Sequence, residues 1–229
     1  MPSTTTASIA SLNVGSATQV EWNGKPVSTG IYKSPIEGPL RVGADRVEGD
    51  HVADLRVHGG PDKAVYAFPS EHYAGWQSAF PEADWTRGAF GENLTLTGLL
   101  ESRVCLGDRF RIGSAELEIR QPRMPCFKFA IRVGGRSAIG HMIKTGHSGF
   151  YFGITREGEL SAGDTLELVG GPTYDGTPGL SIAAFNDLTY ANADNPKNLA
   201  DLKLALASPA LPPEWRERFG QRLAKLTEA

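Results

Sequence analysis

AELEIRQPRMPC, residues 115–126, reads as a strand running into a stiff loop. Ala115, Leu117 and Ile119 fall on one side and Glu116, Glu118 and Arg120 on the other, the period of a half-buried strand. Pro122 and Pro125 then fix φ and remove two backbone donors, so QPRMPC cannot continue a ladder. Cys126 is thereby delivered at a strand end, with Arg120, Arg123, Lys128 and Arg132 nearby in sequence, a positive field that favours thiolate over thiol. The plainer reading makes Cys126 a small buried hydrophobe and the arginines a solvated face.

The same rhythm extends in both directions. SIASLNV (8–14), ADLRVH (53–58), KAVYAF (63–68), NLTLTG (93–98), DRFRIG (108–113), FYFGITR (150–156) and DTLELVG (164–170) are short apolar-rich runs separated by Gly, Pro and Asp. Asn23-Gly24 between TQVEW and KPVST predicts a hairpin with a type I′ turn, which needs positive φ at both central residues. VCLGDRFRI (104–112) echoes LSAGDTLEL (160–168), two similar turns through Gly-Asp into alternating strands. The pattern predicts a mainly β fold, an antiparallel β-barrel or sandwich with few short helices. One such helix is EHYAGWQSAF, capped by Ser70; another is SAIGHMIKT (137–145), ended by Gly146.

From about Pro178 strands give way to three helical segments, SIAAFNDLTY, NLADLKLALA and PPEWRERFGQRLAKL. In the last, Trp215, Phe219, Leu223 and Leu226 are spaced to line one face, with Pro213 near its first position. The expected division is a β domain over residues 1–177 and a three-helix extension over 178–229.

A chain of 229 residues buries a core without disulfides, and two cysteines do not make a secreted framework. Cys105, flanked by Val104 and Leu106, reads as packing. The N-terminus lacks a basic and apolar leader, and no apolar run is long enough to cross a bilayer, so a cytoplasmic protein with no membrane partner is expected. A formal net charge of −3 argues against bulk capture of nucleic acid. There is no C-x-x-C, no zinc-finger spacing, no P-loop, no Rossmann glycine fingerprint and no H-E-x-x-H. The purposes left open for a thiolate at Cys126 are attack on a substrate, redox cycling and binding of a soft metal.

RVHGGPDKAVYAFP (56–69), FGENLTLTGL (90–99), a Gly-Asp turn and RQPRMPC, in that order, resemble the MOSC family, named for the molybdenum cofactor sulfurase C-terminal domain, and within it the YiiM-like branch. TGIYKSP (29–35) and the C-terminal helices widen the likeness to nearly the whole chain. The resemblance implies a MOSC-type β-barrel that binds a molybdenum pyranopterin cofactor, with Cys126 as the thiolate ligand on the metal. It makes Arg123 and Lys128 cofactor contacts, with Arg120 a weaker one; His58, Lys63, Glu92 and Asn93 are further candidates for the phosphate, the pterin or the substrate. It implies reduction of N-hydroxylated compounds such as hydroxylaminopurines, amidoximes and N-hydroxyureas. The electrons must come from a flavin or iron–sulfur reductase partner, since the chain carries no motif for either group. The rivals are a cofactor or sulfur carrier without turnover, and a metal-free thiol enzyme. The helical extension is open to docking the reductase, to self-association into a homo-oligomer, or to covering the β domain.

Overall fold

The computed structural model describes residues 6–51, 59–192 and 195–228. Strands β1 (Ser8–Val14), β2 (Thr18–Trp22), β3 (Lys25–Thr29), β4 (Ser34–Pro35) and β5 (Leu40–Val42) are followed by β6 (Val65–Pro69), α1 (Tyr73–Ala79) and β7 (Leu94–Thr97). Then come β8 (Arg109–Ile112), β9 (Ala115–Pro122), α2 (Phe127–Val133), α3 (Ser137–Thr145), β10 (Phe150–Arg156), β11 (Gly158–Leu160) and β12 (Leu166–Gly170). Helices α4 (Pro172–Asp175), α5 (Ile182–Tyr190), α6 (Leu199–Ala207) and α7 (Pro213–Glu228) complete the chain. The expected strand at 53–58 lies outside the described residues.

Local patterning carries through where it was strongest. β9 buries Ala115, Leu117 and Ile119 and leaves Glu116, Glu118 and Arg120 half-exposed. The β2–β3 hairpin turns on Asn23 and Gly24, with φ of 52° and 73°. The sequence echo is a repeated device: Asp108 accepts from the Cys105 amide at 2.7 Å, and Asp164 from the Ser161 amide at 2.7 Å, each turn launching a strand. The strands so launched, β8 and β12, pair with each other.

The β-barrel with few helices is overturned. Neighbouring strands run β12-β8-β9-β10-β6-β7-β1-β4, an open sheet, with β2–β3 and β5–β11 as separate pairs. The start of β12 approaches β1, where Ser8 bridges Thr165 and backbone bonds join Ala7 and Ile9 to residues 163–166, but this short contact is not the paired ladder that closure requires. The sheet is also mixed: β6 and β7 pair in parallel, Ala67 opposite Leu94, because α1 lies in the crossover between them. Seven α-helices occur among the described residues, so the fold is mixed α/β. One of them, α2, has the sequence FKFAIRV, rich in residues that also suit strands, and is stopped by Gly134 at φ 91°. Ser70 is not a helix cap; it opens a 3₁₀ turn and its hydroxyl meets that of Thr97 at 3.0 Å.

β6 is buried throughout and divides two cores by strand alternation. Val65 and Ala67 join the larger core, with Phe150, Phe152, Ile119 and residues of the C-terminal helices such as Phe185, Trp215 and Phe219. Tyr66 and Phe68 join a second, aromatic core with Trp76, Phe90 and Phe129. On α7, Trp215 and Phe219 are buried as spaced, but the next buried position is Arg222, whose Nη1 donates to the Leu188 carbonyl at 2.6 Å.

Candidate functional site

A cleft with about 630 Å³ of empty space, counting its open mouth, lies beside the second core. Two neighbouring strands supply its wall: Tyr151 of β10 stands opposite Tyr66 of β6, their rings 5.1 Å apart. The loop after β9 brings Arg123, and Cys126 follows as the residue that precedes α2. Lys128 comes from the first turn of α2, Lys63 from the turn before β6, and Asn93 from the residue before β7. Of the residues singled out by sequence, Lys63, Asn93, Arg123, Cys126 and Lys128 therefore converge on one cleft.

His58 lies outside the described residues. Glu92 and Arg120 stand elsewhere. Glu92 is fully buried and does not line the cleft; its carboxylate accepts from the Tyr73 hydroxyl, Thr95 Oγ1 (2.8 Å), Gly88 N (3.0 Å) and Phe90 N (3.1 Å). It pins the loop from Gly88 to Gly91 against residues 31–33. At Gly88, φ is +91° and a Cβ would stand 2.7 Å from the Lys33 carbonyl oxygen, so only glycine fits. Burial raises the Glu92 carboxyl above its ordinary value, and the bonds from Tyr73, Thr95 and Gly88 oppose the rise. Arg120 is turned elsewhere, to Glu118 (3.1 Å) and the Ala210 carbonyl (3.3 Å).

Among the described residues, four cations, Lys33, Lys63, Arg123 and Lys128, line the cleft against one carboxylate, Asp50, although the chain as a whole is negative. Lys33 and Asp50 form a buried ion pair, and Asp50 also accepts from Asn93 Nδ2 at 3.0 Å and from the Gly15 amide at 3.0 Å. Burial lowers the Lys33 pKa while Asp50 opposes the shift. Lys63 pairs with Glu214 at 3.1 Å. Arg123 and Lys128 have no carboxylate partner among the described residues. Arg123 is 5% exposed and packs over Phe129 (4.8 Å) and Tyr66 (5.3 Å), with Met142 Sδ at 3.6 Å. Burial works against its charge, but the acidic groups of Tyr66, Cys126 and Tyr151 outweigh it and raise its pKa. Burial also raises both tyrosines, so they are neutral phenols at pH 7.

The segment behind Arg123 is held from below. Its amide donates to the Gly149 carbonyl at 3.2 Å, and the Gly149 amide donates to Glu101 Oε1 at 2.8 Å. Glu101 Oε2 meets His72 Nε2 at 2.8 Å, and His72 stacks on His147 with ring centroids 3.7 Å apart.

Lys33, Asp50, Tyr66 and Tyr151 are site residues that sequence patterning did not assign. Lys33 lies inside TGIYKSP and Tyr66 inside KAVYAF, stretches already singled out, so position within a motif was the available signal. Among the described residues no three His, Cys, Asp or Glu side chains are grouped to hold a metal ion. Nor is any helix among them long and apolar enough to cross a membrane.

Residues 54–167 match the MOSC domain, and residues 180–226 match the YiiM-like, 3-alpha helix domain. The chain is 40% identical over 219 residues to YflK of Bacillus subtilis (strain 168), covering 96% of each protein. It is 36% identical over 152 residues to a protein of Gibberella moniliformis (strain M3125 / FGSC 7600) named Reductase, a stretch that is 65% of this chain and 27% of that one. The crystal structure of YiiM from Geobacillus stearothermophilus superimposes with a TM-score of 0.75 at 38% identity, covering 95% of this chain and 99% of the other. Likeness that runs from the first strands through the last helix, and not through the sheet alone, makes this chain a member of the MOSC-domain family in its YiiM-like branch.

Proposed function

We propose that the chain is a molybdenum-cofactor-dependent reductase of N-hydroxylated compounds, hydroxylaminopurines, amidoximes and N-hydroxyureas among them, fed with electrons by a flavin or iron–sulfur reductase. The observation that carries this reading is the meeting in one cleft of a thiol, two cations that have no carboxylate partner among the described residues, and a pair of neutral phenols.

The donor set suits such a group. A lone thiolate is a poor cage for a bare ion but an appropriate soft ligand for a metal that arrives with other donors of its own. Cys126 is that ligand. Arg123 and Lys128 balance the charge of an anionic cofactor, and Arg123, held rigid between Phe129 and Tyr66, presents its fork at no cost in side-chain freedom. Lys63 adds charge at the edge, and Asn93 offers an amide fixed by Asp50 and by the Tyr66 amide, which donates to its Oδ1 at 3.1 Å. The bound cofactor supplies the two-electron chemistry at the N–O bond. With two protons, the products are an amine, amidine or urea and water. Tyr66 and Tyr151, neutral at working pH, orient a polar substrate without repelling it. The relative named Reductase supports the oxidoreductase class.

The test is to produce the protein in cells that make the molybdenum cofactor and in cells that do not, and to measure metal, pterin and reduction of hydroxylaminopurine by reduced viologen. Stoichiometric metal with turnover only in the first preparation is expected. Metal without turnover overturns the reductase in favour of a carrier, and equal turnover in both preparations assigns the chemistry to the thiol alone.

A further inference from the structure

Gln121 opens the QPRMPC loop and is 1% exposed, a costly place for an amide unless both of its ends are satisfied. They are. Trp215 of α7, 4% exposed, donates from Nε1 to Gln121 Oε1 at 2.9 Å, and Gln121 Nε2 donates to the Asp62 carbonyl at 3.1 Å. An indole N–H can only donate and a carbonyl can only accept, so the partners fix which way the amide points.

The residues joined in this way belong to separate parts of the chain. Asp62 sits in the 3₁₀ turn Pro61–Lys63, entered through Gly59 and Gly60 at φ of 80° and 81°. Gly59 and Lys63 line the cleft. The same turn is tied a second time to the first turn of α7, by Lys63 and Glu214 at 3.1 Å. It also presses on β10, where a Cβ at Gly153 would stand 2.7 Å from the Pro61 carbonyl oxygen. A register slip in the β9–β10 ladder places Gln121 opposite Tyr151, which is itself opposite Tyr66.

From these contacts we infer that Gln121 is a positioning residue: through it α7 of the C-terminal extension holds the Gly59–Lys63 turn, and with it the cationic edge of the cleft, in place. The extension is then a brace for the site. Its effect on cofactor occupancy rests on the cofactor reading above; the hydrogen bonds do not.

Trp215→Phe keeps the ring and removes only the N–H, Gln121→Leu removes both bonds, and Gln121→Glu keeps the acceptor for Trp215. Phe219→Leu, in the same helix and core with its ring 5.3 Å from that of Trp215, is the control that loosens packing while leaving every hydrogen-bonding group of the relay in place. Hydrogen exchange across residues 59–64 is expected to quicken about tenfold or more in Trp215→Phe and Gln121→Leu, less in Gln121→Glu, and within about twofold of wild type in Phe219→Leu. Molybdenum and pterin per chain are expected to fall about threefold or more in the first two and to hold in the control. Unchanged exchange in both Trp215→Phe and Gln121→Leu overturns the brace. Faster exchange with occupancy untouched overturns positioning and leaves a stabilising bond alone. If wild type carries no cofactor while exchange still responds, the brace stands and the cofactor reading fails.

Discussion

Cys105 stands at the turn that leads into β8 and Cys126 just before α2, and their surroundings are opposite in kind. Cys105 lies in a turn closed by the Asp108 carboxylate; burial raises its thiol pKa, the Asp108 charge adds to the rise, and a bond from Thr173 opposes it. Cys126 opens onto a cleft where, among the described residues, cations outnumber carboxylates. What sets the two apart is the charge that the fold gathers around each sulfur, not burial, since both are half-buried.

The widest split is expected between Cys126→Ser and Cys105→Ser. The first should lose its molybdenum, about tenfold or more, while the second keeps it, as elemental analysis of protein from cofactor-producing cells will read. Equal losses would erase the distinction. Next comes Arg123, buried against two aromatic rings: Arg123→Ala should cost about 2–4 kcal/mol in denaturant unfolding of the cofactor-free protein. Arg123→Lys should cost less stability yet still lower occupancy, because an ammonium lacks the fork. If Lys restores occupancy in full, charge alone is what the cleft needs.

A weaker effect concerns pH and the groups behind Arg123. Burial raises the Glu101 carboxyl, but the bond and charge of His72 and the Gly149 amide outweigh it, so the net shift is down from 4.5. His147 is lowered from 6.5 by burial and by the charge of His72. Both groups bind protons less readily folded than unfolded. Their contribution is complete above pH 6.5, declines as pH falls through the histidine range, and declines again below 4.5. Melting temperature against pH should show both limbs, with His147→Asn flattening the upper and Glu101→Gln the lower. Limbs that survive these changes would place the titration elsewhere. Smallest of all, Arg111→Ala on β8 removes exposed pairs to Glu116 (3.4 Å) and Glu167 (3.1 Å) and should shift stability by less than about 0.5 kcal/mol, with no change in metal content.

Sequence made legible what is written in neighbouring residues. The alternation of β9, the Asn23-Gly24 hairpin and the three C-terminal helices all follow from periods and turn chemistry spanning fewer than about 20 residues. The parallel pairing of β6 with β7 and the open sheet are decided between distant segments, and alternation carries no strand direction. The site divides in the same way. Cys126, Arg123 and Lys128 share one loop and its helix, whereas the Lys33–Asp50 pair and the Tyr66–Tyr151 pair exist only once separate segments meet. Glu92 shows the converse: a carboxylate in a motif-like stretch, whose observed role is to tie down a glycine loop.

The twin aspartate turns bear on how the sheet's edge is made. Leu166 pairs with Ile112 across a long stretch of chain, and closing that loop carries an entropic penalty that grows only slowly with its length. Each strand start is set within four residues by its own carboxylate, before the two strands meet. With both starts fixed, β12 and β8 have fewer registers to sample when they meet than two strands whose ends are undefined.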